Sequence, residues 1–370
     1  MRDVKILILL VLLFCDSCSY ESEPKESPKN SDLMSKDLTS TQIIPTLDFP
    51  IAKGENVIWC ASFLSAWKAL EKDIAGEPIA LEGNPELVSI LGKAADPTSL
   101  IPSGSLYVAA GWNNKGITDK IAKDLKKLFP TKRAPSFPDI REDSFVAYSY
   151  LEANVKFTIP YFQSVKPLVF TSSDGVKTKI KSFGIRPEDD YAYYKLRKQL
   201  KILFRKGDPY SDGGKYEFAI DLCSDSSPSE IIVALIDKKP TLAETLDQFE
   251  KYCDKQAKSV DPEMGPNDVL LVPDIFFEIA HHYSKIEKKA FENKSLKGQQ
   301  LDIARQDILF RLDRSGAELK SEAKVYCAPV PTYFQLDRPF LVIMRKRGET
   351  RPYFVMWVDN AELLQKWNGK

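Results

Sequence analysis

The chain has 370 residues, with 52 Lys and Arg against 52 Asp and Glu, and is 43% hydrophobic and 11% aromatic. Zero net charge argues against nucleic acid or an anionic membrane surface as partner. The apolar content is enough for a sizeable core in one large domain or two smaller ones.

Arg2 and Lys5 precede "ILILLVLLF" (6–14), an apolar run too short to span a bilayer and of the length of a secretory leader. Residues 1–18 are therefore expected to be a signal segment. "CDSC" follows (15–18). Bacterial lipoproteins carry a small residue before a lipid-modified cysteine, and Cys18 follows Ser17. Two expectations stand: lipid attachment at Cys18, giving a membrane-anchored lipoprotein, or plain secretion to an extracellular or periplasmic space. Residues 19–48, rich in Ser, Lys, Glu and Pro, are expected to be a disordered tether, which favours the lipoprotein reading. The single domain is expected over 49–370.

"NVIWCASFLSAWKAL" (56–70) predicts a helix with Phe63, Trp67 and Leu70 on one face. "NPELVSILGKAAD" (84–96) starts a second helix with Pro85 in its first turn. "SLYVAAGW" (105–112) predicts a buried strand. "ITDKIAKDLKKLF" (117–129) is a helix with Ile117, Ile121, Leu125 and Leu128 on one face, basic residues opposite, and Pro130 beyond its end.

A β-rich middle starts near Ser144. It runs through "SFVAYSYLEANVKFTI" as one long strand, then "PLVFTS", "VKTKIKSF", "YYKLRKQLKILF", "YEFAIDLCS" and "EIIVALID". In "VKTKIKS" the three lysines share one face, as on a half-solvated antiparallel strand. "TLAETLDQFEKYC" (241–253) is a helix with a capping box, Thr241 with Glu244, and a stripe of Leu242, Leu246, Phe249 and Cys253. "DVLLVPDIFFEIAHHY" is strand again. "RPFLVIMRKRGETRPYFVMWVD" is a hairpin turning at 347–350. Helices mixed irregularly with long antiparallel strands predict one α+β domain.

Catalytic constellations are scarce. His281 and His282 are adjacent, so on a strand they face opposite sides, one expected buried and one exposed. No phosphate-cradling glycine loop or G-x-S-x-G elbow occurs. "SDGGK" (211–215) and the acidic pair Asp189 and Asp190 read as turns. Asn293-Lys294-Ser295 matches a glycosylation sequon. The spacing of Cys60, Cys223, Cys253 and Cys327 suits neither a metal site nor a dense disulfide framework. No enzyme activity, metal or other cofactor is expected.

"FQLDRPFLVIM" (334–344) resembles the serpin signature: hydrophobic alternation, Asp337, the basic Arg338, then Pro339-Phe340 and four apolar residues. The order of elements is similar to serpins from about residue 56 to 360. "NVIWCASFLSAWKAL" resembles the family's second helix, with Cys60-Ala61 at its Ser-Pro and Phe63 at its following Ser. Ser149 and Phe157 stand where the central strand usually holds an Asn and a Trp, and Met356-Trp357 stand for a Gly-Arg. Residues 129–144 leave no room for the helix that normally crosses the front of the main sheet. The resemblance implies a trimmed serpin-like domain of three β-sheets with surrounding helices, some of the usual helices lacking. It also implies a monomeric inhibitor whose partner is a target protease of serine or cysteine type.

In serpins a protease cleaves an exposed loop, which then inserts as a strand into the main sheet. "GAELKSEAKVYCAPVP" (316–331) fits that demand. Gly316 supplies the hinge. Ala317, Leu319, Ser321, Ala323 and Val325 would face inward, with Glu318, Lys320, Glu322 and Lys324 in solvent. A one-residue slip would bury four charges. The same alternation also suits an amphipathic edge strand of a static protein. Leu319 is bulky for an inward hinge position. Family spacing places the scissile bond at Val330-Pro331 counted from Gly316, or at Ala328-Pro329 counted from Pro339. Both precede a proline and are poor sites for most serine proteases; Pro329-Val330 and Tyr326-Cys327 are the nearby choices. The bulky hinge and the prolines leave a second reading open, a serpin-fold binding or scaffold protein that does not inhibit.

Overall fold

The computed structural model describes residues 33–34, 37–130, 135, 137, 140–153, 155–187, 191–208, 216–225, 228–256, 261–314 and 332–369. The C-terminal hairpin read from the sequence sits in the middle of the largest sheet. Strand Phe340–Lys346 pairs antiparallel with Pro352–Val358, which is buried throughout. Outward from the first lie Ser229–Leu235, Glu217–Asp221 and Lys201–Lys206. Beside the second lie Asn56–Cys60 and, parallel to it, Thr41–Ile43.

That last pairing corrects two expectations. Asn56–Cys60 is a strand, and the helix begins only at Ala61. Val57, Ile58 and Trp59 form an unbroken apolar run, as a strand covered on both faces requires. Residues 41–43, assigned to the tether, belong to the sheet, and Ile43 and Ile44 are buried. A clasp holds them there: the Glu362 carboxylate accepts the Thr39 N–H at 2.8 Å and the Thr41 hydroxyl at 2.5 Å. Asn56 Nδ2 donates to Asn360 Oδ1 at 2.9 Å.

Helix Leu242–Gln256 packs on this sheet through Phe249, whose ring meets Phe204 edge-on at 6.1 Å. Half of the capping box is present: the Glu244 N–H donates to Thr241 Oγ1 at 3.1 Å. "YYKLRKQLKILF" departs from expectation. It is helix Tyr191–Gln199 followed by strand Lys201–Lys206. Tyr193, Leu196 and Leu200 are buried at helical spacing, a period masked by the β-prone tyrosines.

The expected main sheet is divided. Leu106–Trp112 pairs antiparallel with Phe145–Leu151 as a two-stranded sheet. Ile275–His282 pairs antiparallel with Arg305–Leu312, and Leu33–Met34 joins the outer edge of Ile275–His282 in parallel. The described strands form six hydrogen-bonded groups, three of them two-stranded. The long middle strand also breaks up: among the described residues of "SFVAYSYLEANVKFTI", the strand runs over Phe145–Leu151.

Helix Ala61–Ala69 lies behind the first strand pair and buries Phe63, Leu64 and Trp67; a π-helical turn, Leu70–Ala75, continues it. Helix Ile117–Leu128 covers the opposite face, where Ile117, Ile121 and Leu125 pack with Tyr107, Ala109 and Phe129. Leu128, expected in that stripe, is 47% exposed, because the stripe runs off the sheet in the last turn. Strand Leu106–Trp112 is half-buried rather than buried, with only Tyr107 and Ala109 enclosed.

A four-stranded sheet, Tyr333–Gln335, Val269–Pro273, Ser182–Ile185 and Phe162–Gln163, completes the larger layers. The sequence reads "VKTKIKSF" and "DVLLVPDIFFEIAHHY" each as one strand. Each is two strands in different sheets, the second broken at Asp274. No helix of the described residues is long and apolar enough to cross a membrane.

Candidate functional site

The first turn of helix Ala61–Ala69 carries the residue that joins the two strand pairs. Ser149, on Phe145–Leu151, donates its hydroxyl to the Ser62 carbonyl at 2.5 Å. Gln306, on Arg305–Leu312, donates Nε2 to Ser62 Oγ at 2.9 Å and to the Cys60 carbonyl at 3.1 Å. Gln306 Oε1 in turn accepts the Tyr283 hydroxyl at 2.9 Å. Two strands from different sheets therefore rest on one helical turn. Each is the last strand of its sheet on that side, and no ladder joins them among the described residues. Edge strands carry backbone N–H and C=O groups that can template another strand. The arrangement tethers two edge strands of different sheets to one helical turn through Ser149 and Gln306.

Burial dominates the electrostatics. Tyr148 is pushed up to about 12, first by burial and then by Asp307 of the neighbouring strand. Burial also pushes the Cys60 thiol up, so it is protonated at neutral pH. Cys60 and Cys253 are free thiols, the first buried and the second half-buried, and the buried Cys223 thiol lies 3.5 Å from Asp221 Oδ1.

The histidines differ from expectation in that both are half-buried. His281 lies edge-on to Tyr283 at 4.5 Å and is pushed down to about 4, first by burial and then by His282. His282 Nδ1 is 2.8 Å from Glu287 Oε1, which also accepts the Ala304 N–H at 2.8 Å. Among the described residues no group of His, Cys, Asp and Glu could hold a metal ion.

Strand Arg305–Leu312 alternates strictly, with Gln306, Ile308, Phe310 and Leu312 buried and the residues between them exposed. It leads directly toward the segment of interest. The hinge residues Gly316, Ala317, Glu318, Leu319, Ser321 and Ala323 lie outside the described residues. So do the cleavage candidates Tyr326, Cys327, Ala328, Pro329, Val330 and Pro331, and the lipid-attachment candidate Cys18. The chain resumes at Thr332, whose N–H donates to Asp268 Oδ1 at 3.0 Å.

The signature residues are structural. The Asp337 carbonyl accepts the Thr171 N–H at 2.8 Å, and burial pushes its carboxyl up, against the pull of Arg338. Arg338 donates Nη2 to the Tyr216 carbonyl at 2.5 Å. Pro339 precedes strand Phe340–Lys346, and Phe340 is fully buried, edge-on to Phe170 at 6.2 Å.

Asn293, read as a sequon, is 5% exposed. Its Oδ1 accepts the Ala80 N–H at 2.8 Å, and its Nδ2 donates to Glu77 Oε1 at 3.0 Å and the Pro78 carbonyl at 2.9 Å. The side chain is a bracket between two loops, not a glycan acceptor. Asn293→Ala should cost about 1–3 kcal/mol in denaturant unfolding, from buried groups left unpaired. An unchanged midpoint would show that the bracket is dispensable.

Sequence reading did not single out Ser62, Tyr283, Gln306 or Asp274. The signal for Gln306 was available, because it is the one polar residue in the inward register of an otherwise apolar strand face.

No family model and no curated protein sequence matches this chain. Among solved structures the chain is similar to thyroxine-binding globulin in complex with thyroxine, at 13% identity, covering 82% of this chain and 92% of that one, with a TM-score of 0.47. It is similar to human glycosylated kallistatin at 13% identity, covering 83% and 92%, with a TM-score of 0.44. It is also similar to native protease nexin-1 with heparin, at 9% identity, covering 83% and 92%, with a TM-score of 0.45.

Proposed function

We propose that the chain is a serpin-like protease inhibitor, exported, that acts once by cleavage and insertion of the segment 316–331. The observation that carries this reading is that two edge strands of different sheets, Phe145–Leu151 and Arg305–Leu312, are both bonded to Ser62 and unladdered to each other among the described residues, and the second leads toward the segment. In this reading they are the walls of a crevice that the segment would fill. The protease nucleophile attacks the scissile carbonyl and the peptide bond breaks. The amine leaves with the C-terminal part, and an ester or thioester ties the protease to the N-terminal part. Insertion then carries the protease along the sheet, by roughly 45–50 Å at about 3.3 Å per residue. The chain itself has no catalytic role in this scheme and needs no cofactor, nucleic acid or second copy. Lipid attachment at Cys18, with residues 1–18 as the export signal, would place the inhibitor at a membrane surface.

Incubation with a panel of serine and cysteine proteases is the test. A gel-stable complex of summed mass is the expected result. Cleavage with no complex across the panel would support the second reading, a non-inhibitory binding or scaffold protein of the same fold. The bulky Leu319 and the prolines at 329 and 331 favour that reading.

A further inference from the structure

The lysines of "VKTKIKS" belong to a hairpin that the proposed inhibition does not use. Strand Leu168–Thr171 pairs antiparallel with Lys177–Ile180. Leu168, Phe170 and Ile180 turn one side of this pair into the core. The other side is open. There Val169, 44% exposed, stands opposite the exposed Lys179, and Thr171 stands opposite the exposed Lys177. Lys181, partly exposed, follows at the end of the strand. Lys177 and Lys179 form no ion pair among the described residues.

The C-terminal segment widens this side. Ile180 bridges to Lys366, the Lys181 N–H donates to the Gln365 carbonyl at 2.8 Å, and the Trp367 N–H donates to the Lys179 carbonyl at 3.1 Å. Trp367, partly exposed, therefore stands beside Lys179 in register. The far edge of the hairpin is also held, because the Thr171 N–H donates to the Asp337 carbonyl at 2.8 Å. At the tip Val176 is 56% exposed. The one acid of the turn, Asp174, accepts the Val176 N–H on Oδ1 at 3.1 Å.

We propose that this open hairpin face docks on an anionic lipid bilayer. Charge complementarity alone would suit any polyanion, and the apolar residues decide between them. An acidic polysaccharide would engage the ammonium groups but leave Val169 and Val176 in water. A bilayer surface satisfies both: its phosphates meet the lysines, whose stems lie along apolar surface, while the valines and the indole reach the acyl boundary. Zero net charge is an average over the whole chain and does not describe this face. The proposal stands apart from the inhibitor reading and does not depend on lipid at Cys18.

Co-sedimentation of the full chain with vesicles of phosphatidylcholine, with and without phosphatidylglycerol, is the test. Three lysines at about fivefold each should make binding about a hundredfold tighter with phosphatidylglycerol, and salt should weaken it. Lys177→Gln combined with Lys179→Gln should lose about 25-fold of that. Lys123→Gln combined with Lys126→Gln, on the basic side of helix Ile117–Leu128, should lose little. The apolar run 6–14 and its basic flank are common to wild type and variants, so the difference between them reads this face. Brominated lipid should quench a fluorescence component that Trp367→Phe lacks. Equal binding to both vesicles, a first double variant that binds like wild type, or an equal loss in the second overturns the proposal. Retention on dextran sulfate that needs Lys177 and Lys179, with vesicles ignored, would assign the face to a linear polyanion and overturn the bilayer.

Discussion

Cleavage within 316–331 should raise the midpoint of thermal unfolding of the full chain by about 10–30 °C. An inserting strand gains on the order of a dozen backbone hydrogen bonds, each worth about 0.5–1.5 kcal/mol net. In a chain of this size each kcal/mol moves the midpoint by roughly 2 °C. In the proposed crevice the edges of Phe145–Leu151 and Arg305–Leu312 would flank such a strand, and the floor at Ser62 would lie beneath its inward side chains. The alternation of the segment provides an internal control. Ala323→Arg places a charge in the inward register and should abolish most of the rise, because burying it unpaired costs several kcal/mol. Lys324→Arg, one residue on, should leave the rise intact. Melting curves of cut and uncut protein decide the matter. An unchanged midpoint after complete cleavage would mean that nothing enters the crevice.

The second large effect concerns the signature. Phe340→Ala should destabilise the fold by about 3–5 kcal/mol, the usual cost of emptying a fully enclosed aromatic site. Phe340 opens the central strand of the seven-stranded sheet opposite Val358 and meets Phe170 edge-on. Its loss would therefore leave a void where the large sheet meets the Leu168–Thr171 strand. Arg338→Ala, two residues earlier, removes one hydrogen bond from a half-exposed guanidinium and should cost only about 1 kcal/mol. Denaturant midpoints for the two variants, with slopes unchanged, would separate them. Equal costs would show that the motif works as a unit through its charge rather than through packing.

Where one period dominated, the sequence was plain. Arg305–Leu312 alternates without a fault, the 242–256 helix announces itself with Thr241 and Glu244, and the C-terminal hairpin turns where its charged residues cluster. Where two periods overlapped, it misled. Asn56–Cys60 is apolar throughout, so neither a strand nor a helix period shows; only its place between Thr41–Ile43 and Pro352–Val358 makes it a strand. Tyr191–Gln199 mixes β-prone tyrosines with a helical stripe, and the stripe decides. The crevice itself was the least visible part. Ser62, Ser149 and Gln306 are far apart along the chain, and no local pattern links a hydroxyl on a helix to an amide on a strand over 200 residues later. The family signature pointed toward the segment 316–331, not toward Ser62 and its partners.

The Glu362 clasp bears on how the molecule would carry a mechanical load. Traction applied on the N-terminal side of residue 33 first meets two fastenings in succession. The first is the two-residue ladder of Leu33–Met34, which lies on the far edge of Ile275–His282 and can peel away without disturbing Arg305–Leu312. The second is the carboxylate that grips Thr39 and Thr41, reinforced by the alignment of Thr41–Ile43 along Asn56–Cys60. Beyond them the Ile51 N–H donates to the Pro240 carbonyl at 2.8 Å and Asn56–Cys60 is itself laddered to Pro352–Val358, so a pull from that end is spread over several attachments before it reaches helix Ala61–Ala69.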